Sequence, residues 1–263
     1  MLKNNNQTAV KRISSSSLKL NRIRNMFAVI AIILTTFMFT TVFSIGFSLG
    51  KNLNTMRLRE QGTKSTIYLP NPSEEQISQI KKYDALNAAG VQIHIASAKN
   101  IQNPDITVSL DYYDKTEYEE NYLPAISDVN GSYPDEKNEI MLSKAALEAL
   151  SIKNPVENMD IALNVDGEEK TFRLSGWSTD YSFTSKGFQG FVSESYADSL
   201  GLTVEKNGVL YVSAKTGSQA NLLYQMTDEV KLREGQDINS TYDVQDENVS
   251  NAAVVAVVIG LSA

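Results

Sequence analysis

The sequence predicts an α+β membrane protein: a transmembrane helix followed by a mixed α/β extracytoplasmic domain. Three observations carry this. Residues 26–49, MFAVIAIILTTFMFTTVFSIGFSL, run for 24 residues without a charged side chain. The segment before them is basic and contains no acid, whereas the segment after them is polar and acidic. Beyond residue 62, stretches of helical and strand periodicity alternate to about residue 245.

A helix of 24 residues rises about 36 Å at 1.5 Å per residue, enough to cross a hydrocarbon core of roughly 30 Å with some tilt. Residues 1–25 carry Lys3, Lys11, Arg12, Lys19, Arg22 and Arg24, a formal charge of +6. The rest of the chain carries −13, which together give the net −7. Short basic segments stay cytoplasmic, so the N-terminus is expected inside and the large acidic part outside. A cleaved signal peptide has a shorter apolar core and an A-x-A-like site. Here the run continues as Gly50-Lys51-Asn52-Leu53, and an uncleaved anchor is expected.

The expected organisation is a cytoplasmic basic N-terminus at 1–25, a transmembrane helix at 26–49 and a helical stalk at 50–62. An extracytoplasmic α+β domain follows at 63–251, and residues 252–263 begin a second transmembrane helix that is cut short. That last segment, AAVVAVVIGLSA, is too short to span a bilayer; a terminal strand or buried helix is the other reading. The chain has no cysteine, so disulfides and thiolate metal sites are excluded. The acidic exterior argues against a nucleic-acid partner. Residues 11–24 are placed to meet anionic lipid of the bilayer.

Within the domain, Thr63–Leu69 reads as a strand. Asn71-Pro72-Ser73-Glu74-Glu75 reads as a helix start, with capping side chain, early proline and acids at the positive dipole end. Ile77, Ile80 and Tyr83 continue that helix, and Gly90 is expected to end it. Val91, Ile93 and Ile95 alternate with Gln92 and His94 as a half-buried strand, and Ile106–Tyr112 is another. Residues 114–135 read as an acidic loop whose tyrosines (Tyr112, Tyr113, Tyr118, Tyr122, Tyr133) are expected to be partly buried.

Glu139–Leu142 is a short strand, after which Ser143 caps a helix reaching Leu150. Ile161–Val165 and Lys170–Ser175 flank Asp166-Gly167, a hairpin dipeptide. Phe188–Val192 and Val209–Val212 are strands. A helix between Gly217 and Gly235 carries the stripe Leu222, Leu223, Met226 and Val230. No internal repeat is read from the sequence.

Catalytic motifs are weak. Gly46-Phe47-Ser48-Leu49-Gly50 matches G-x-S-x-G, but that elbow needs a strand-turn-helix setting and a histidine base. The single histidine, His94, lies elsewhere. Ser78-x-x-Lys81, Ser127-Asp128-Val129 and Lys215-Thr216-Gly217 echo the elements of serine acyltransferases that bind penicillin, with the middle element imperfect. No phosphate loop, dinucleotide fingerprint, EF-hand or zinc-helix motif is present. No catalytic, metal or cofactor site is expected. Thr36, Thr40, Ser44 and Ser48 recur every fourth residue, with Gly46 and Gly50 near the outer end. Such a small, hydroxylated stripe suits close helix–helix packing in lipid, although threonines also bond to their own backbone.

One stretch carries a resemblance. Residues 131–150, GSYPDEKNEIMLSKAALEAL, resemble the G-x-x-P…N-E-I-x-L-S…A…L run in the external domains of FtsX-like permeases, the MacB-like or type VII ABC transporters. Residues 161–177, IALNVDGEEKTFRLSGW, resemble the hairpin that follows in that core domain. Residues 18–25, LKLNRIRN, lead into a long first helix as in these permeases. The chain departs from the pattern at Leu150-Ser151, where Leu-Gly is common, and at Met159-Asp160, where Gly-Asp is common.

The resemblance implies a permease without a nucleotide site, working with a separate cytoplasmic ABC ATPase subunit and a second permease copy or homologous permease. The first helix would carry motion outward. It also implies three further transmembrane helices. The absence of cysteine points to the plasma membrane of a Gram-positive bacterium. The alternative is a single-pass anchored external binding or sensor protein.

Overall fold

The computed structural model describes residues 10, 11, 16 and 21–241. The expected second membrane helix at 252–263, and most of the basic flank, lie outside the described residues. The described chain falls into two units, one ending at Asn52 and the other starting at Leu53. Helix α1, Arg22–Gln61, is 40 residues long and has no buried residue. It is long and apolar enough to cross a membrane.

In the second unit the strands are β1 (Ile67–Pro70), β2 (Leu86–Asn100), β3 (Thr107–Tyr113), β4 (Ser127–Gly131), β5 (Glu139–Ser143), β6 (Asp160–Val165), β7 (Glu168–Thr179), β8 (Phe188–Val192), β9 (Gly208–Ala214) and β10 (Asn239–Ser240). The helices are α2 (Glu74–Ile80), α3 (Lys144–Ala149), α4 (Phe183–Lys186), α5 (Glu194–Ser199), α6 (Val204–Asn207) and α7 (Gln219–Glu229).

Six strands close on themselves. β2 pairs with β3, β3 with β8, β8 with β5, β5 with β7, β7 with β6, and β6 returns to β2 through Lys99↔Asn164 and Asn100↔Leu163. Side chains alternate across a strand, so one residue in two points into this ring. Val108 and Leu110, Ile140 and Leu142, Ile161 and Leu163, and Phe172 and Leu174 fill it and are almost wholly buried. The other end of β2 belongs to an open wing, β2-β9-β1-β10. There α2 and α7 add Ile80, Leu222 and Met226 to a second core with Ile67, Leu69, Leu210 and Val212.

The β6–β7 hairpin turns through Asp166 (φ 52°) and Gly167 (φ 90°), both left-handed as a two-residue hairpin loop requires. Ser143 Oγ caps α3 by accepting from Ala146 N, and the tail of α7 buries Val230 as the stripe predicts.

Three expectations change. Helix α2 starts two residues later than read, at a capping box in which Ser73 and Gln76 exchange bonds. It ends at Ile80, not at Gly90, because residues 86–93 pair with β9 over almost the whole length of that strand. Pairing within the sheet overrides local helix propensity. Gly90 instead lies inside β2, where a Cβ would fall 2.3 Å from the backbone nitrogen of Glu117. Residues 114–135 are not a plain loop. They hold a π-helical turn at Glu117–Tyr122, a 3-10 turn at Leu123–Ala125 and β4. Tyr113 and Tyr122 are fully buried there, around Phe191 and Met141, while Tyr118 and Tyr133 are partly buried beside them.

A repeat is also present. β5-α3 and β8-α5 share one layout, with a cap serine and a left-handed residue eight positions apart in each. Ser143 and Ser193 cap the helices by accepting from Ala146 N and Tyr196 N. Ser151 (φ 65°) and Gly201 (φ 69°) then end them in the left-handed region. Ile152 N bonds Leu147 O, and Leu202 N bonds Ala197 O, in matching Schellman closures. β5 and β8 are antiparallel neighbours, so the two copies face each other in the ring. The sequence hid this because only the serine caps and the closing leucines Leu150 and Leu200 coincide. The departure at Leu150-Ser151 therefore keeps the left-handed turn without its glycine.

Candidate functional site

The last turns of α1 are held to the fold at several points. Arg59 stacks its guanidinium 4.4 Å from the ring centre of Tyr181, and Ser185 Oγ donates to Glu60 O at 3.3 Å. Gly62 (φ 66°) packs so closely that a Cβ would lie 2.5 Å from Ser182 Oγ. Only glycine combines that backbone conformation with that approach. Lys64 N then donates to Asn121 O at 2.9 Å.

The groups that receive this segment form a buried polar cluster. Asp180 Oδ1 accepts from Ser182 N and Ser182 Oγ, both at 2.7 Å, and its Oδ2 accepts from Tyr122 Oη at 3.0 Å. Asp114 Oδ1 accepts from Glu117 N at 2.7 Å and so starts the π-helical turn. Asn121 Nδ2 donates to Glu117 Oε2 at 2.6 Å. Glu117, Asn121 and Asp180 are buried. Burial raises the Glu117 carboxyl to about 7, the Asn121 bond and the Lys186 ammonium opposing and Asp114 adding. Burial likewise raises Tyr122 well above the usual phenol range, helped by Asp180.

Two adjoining cavities, about 710 Å³ and 670 Å³, lie elsewhere on the unit. Both are lined by Tyr112, Glu194 and Asp198. The first adds Tyr113, Tyr118 and Tyr133 and the carboxylates Glu119 and Asp135. Burial, then Glu194 and Asp114, raise Tyr112 strongly. The rings pack on one another, Tyr118 against Tyr133 at 4.4 Å between centres.

The motif residues do not converge. Ser78 and Lys81 belong to α2 and its C-cap. Ser127 is on β4, at the end of the sheet path opposite β10, and bonds Tyr181. Lys215 follows β9 and donates to Asp84 O. Gly46–Gly50 lies within α1, not on an elbow.

His94 meets Asp111 Oδ1 through Nδ1 at 3.0 Å, and Ser109 Oγ donates to Asp111 Oδ2 at 3.0 Å. Ser109 Oγ also lies 3.4 Å from that same Nδ1. A triad needs serine and carboxylate on opposite ring nitrogens, so this trio is not arranged as one. Among the described residues no group of three His, Asp or Glu side chains is placed to hold a metal ion.

The stripe residues lie on α1. Thr36 Oγ1 donates to Ile32 O at 2.8 Å, and Thr40 Oγ1 to Thr36 O at 2.9 Å and Phe37 O at 3.0 Å. Ser44 and Ser48 are exposed, and a Cβ at Gly46 or Gly50 would meet nothing within 4 Å. Sequence reasoning missed the Glu117–Asn121 pair. Its four-residue spacing, among tyrosines at 113, 118 and 122, was the available signal.

No family model matches the chain, and no curated protein does. The fold is similar to the periplasmic region of MacB from Actinobacillus actinomycetemcomitans, at 10% identity and a TM-score of 0.46, over 73% of this chain and 95% of that one. It is similar to the extracellular domain of the noncanonic ABC-type transporter YknZ from Gram-positive bacteria, at 12% identity and 0.44, over 67% and 100%. A domain of a permease protein from Porphyromonas gingivalis matches at 8% identity and 0.40, over 71% and 95%.

Proposed function

We propose that the chain is a permease subunit of an ABC-type transporter, moved by a separate cytoplasmic ATPase and coupling that motion to its extracytoplasmic domain. The observation that carries this reading is the way α1 ends. A simple tether needs only a flexible link after its membrane span. Here a single helix of 40 residues runs on beyond the apolar stretch, and the cation–π contact of Arg59, the Ser185 bond and the Gly62–Ser182 approach hold its last turns. A helix clamped at its outer end suits transmission of force. The FtsX-like pattern in residues 131–177 supports the same reading.

The +6 flank supports a cytoplasmic N-terminus and an extracytoplasmic main domain in the plasma membrane. The small-residue stripe Thr36, Thr40, Ser44, Gly46, Ser48 and Gly50 is assigned to packing against other permease helices, from the same or a homologous subunit. The tyrosine-lined cavities favour the second reading, an anchored external binding or sensor protein.

Two measurements test the proposal. Cysteines placed at Gln7 and Asn164 are expected to react with an impermeant reagent in intact cells only at 164; reaction at 7 instead would overturn the orientation. Mild-detergent purification of the tagged chain is expected to bring down an ATPase containing a phosphate-loop motif. Recovery of the chain without such a subunit, at native expression, would favour the anchored binder.

A further inference from the structure

We propose that the Glu117–Asn121 pair is a proton-binding site through which external acidity sets how firmly the last turns of α1 are held. Glu117 is 2% exposed and Asn121 is fully enclosed. The carboxylate accepts one side-chain bond, from Asn121 Nδ2, and Asn121 Oδ1 is buried with no donor at all. A carboxylate and an amide oxygen together offer several acceptor sites, and a buried acceptor left empty is costly.

One proton corrects the mismatch. Taken from external water, it forms an O–H bond on Glu117. That hydroxyl donates to Asn121 Oδ1 while the amide N–H still donates to the other carboxyl oxygen. The two side chains then close a two-bond ring by rotating, without backbone movement.

The surroundings fix the sign. Asp114, on the loop before the turn, faces Glu117 as a like charge. Lys186 on α4 is the facing cation, and it is shared with Asp180 and Asp111. From β3 come Tyr113 and Asp111, from β9 Tyr211, and from β2 the backbone of Gly90 and, through Asp111, His94. Burial outweighs the opposing Asn121 bond and Lys186, and the folded value stands at about 7 against an ordinary 4.5.

A raised value means that the folded form binds the proton between those limits. Its stabilisation is complete below 4.5 and disappears as the pH rises through about 7. The gap corresponds to a change on the order of 100-fold in the equilibrium for opening the turn. Opening matters to α1 because Asn121 O holds Lys64 N. The next residue, Tyr122, holds Asp180, which positions Ser182 against Gly62. π-Helical turns recur at functional sites, and this one links the carboxyl to the emerging helix.

The site stands whether or not an ATPase drives the helix, so its test needs no transport. Hydrogen exchange of the full chain in lipid nanodiscs would be followed between pH 5.5 and 8, corrected for intrinsic exchange. Opening of residues 62–66 and 117–122 is expected to rise at least 10-fold toward pH 8 in the wild type. In Glu117→Gln, an uncharged isostere, it is expected to stay at one level throughout. A pH-independent wild type, or an unchanged profile in Glu117→Gln, would overturn the proposal. So would a profile abolished by His94→Gln alone. Should Glu117→Gln not fold, carbon-13 titration of glutamate carboxyls in the wild type decides: one carboxyl near 7 supports the site, and titration of all below 5.5 refutes it.

Discussion

Gly90→Ala should strongly destabilise the second unit. The added Cβ would lie 2.3, 2.4 and 2.6 Å from N, Cα and Cβ of Glu117, so the obstacle is mainly backbone. Neither side yields easily. β2 is held by β9 and β3 on its two edges. The π-helical turn is held by Lys64 N to Asn121 O and by Asp114 Oδ1 to Glu117 N. Overpacking of this kind costs about 1–3 kcal/mol. Forcing the turn away also gives up one or two hydrogen bonds at about 1 kcal/mol each, and replacing a strand glycine returns about 0.5–1 kcal/mol. The net loss is about 1–4 kcal/mol, or a fall in Tm of roughly 2–16 °C for a unit of this size.

Gly190→Ala is the control. Its nearest atoms, at 2.8–3.1 Å, are methyls of Leu142, Leu110 and Val108, which can rotate aside, and a loss of about 1–2 kcal/mol is expected. Thermal unfolding of the full chain in detergent, with urea titration to separate stability from cooperativity, makes the comparison. Were Gly90→Ala within about 0.5 kcal/mol of wild type, or milder than Gly190→Ala, β2 would not be pressed against the turn and the reasoning would fail.

Ser151→Gly is expected to stabilise the protein by about 0.5–1 kcal/mol, because a left-handed serine is strained and Gly201 already occupies the matching place in the repeat; unchanged or lower urea resistance would contradict this. The Asp111 bond raises the His94 imidazole above 6.5 against the opposing effect of burial. Wild type should therefore exceed His94→Gln in stability most clearly below pH 6.5, the margin shrinking as the pH rises through the folded value; a margin that grows with pH would reverse the sign. In the membrane helix, Thr40→Leu with Ser44→Leu is expected to impair assembly or transport more than Phe39→Leu with Phe43→Leu, and equal tolerance of both pairs would remove the packing role of the stripe.

Local signals made much of this legible. The charge-free run of residues 26–49 and its basic flank follow from solvation alone, since no partner is needed to make a bilayer exclude charge. The hairpin at Asp166-Gly167, the Ser143 cap and the Leu222-Met226-Val230 stripe were likewise readable, because turn geometry, capping and helical period are set by neighbours in sequence.

Tertiary contacts decided the rest. Gly90 carries the same local signal as a helix stop, and only its pairing with Tyr211 of β9 and its contact with Glu117 assign it to a strand. Glu117 reads as one more loop acid until Tyr113, Tyr211 and β2 bury it, and desolvation is a property of surroundings that no spacing records. The closed ring depends on two residue pairs between β2 and β6, more than sixty positions apart. The sequence by itself determined which segments are apolar, capped or turned; which of them meet, and which charges lose their water, was decided only by the packing of the folded chain.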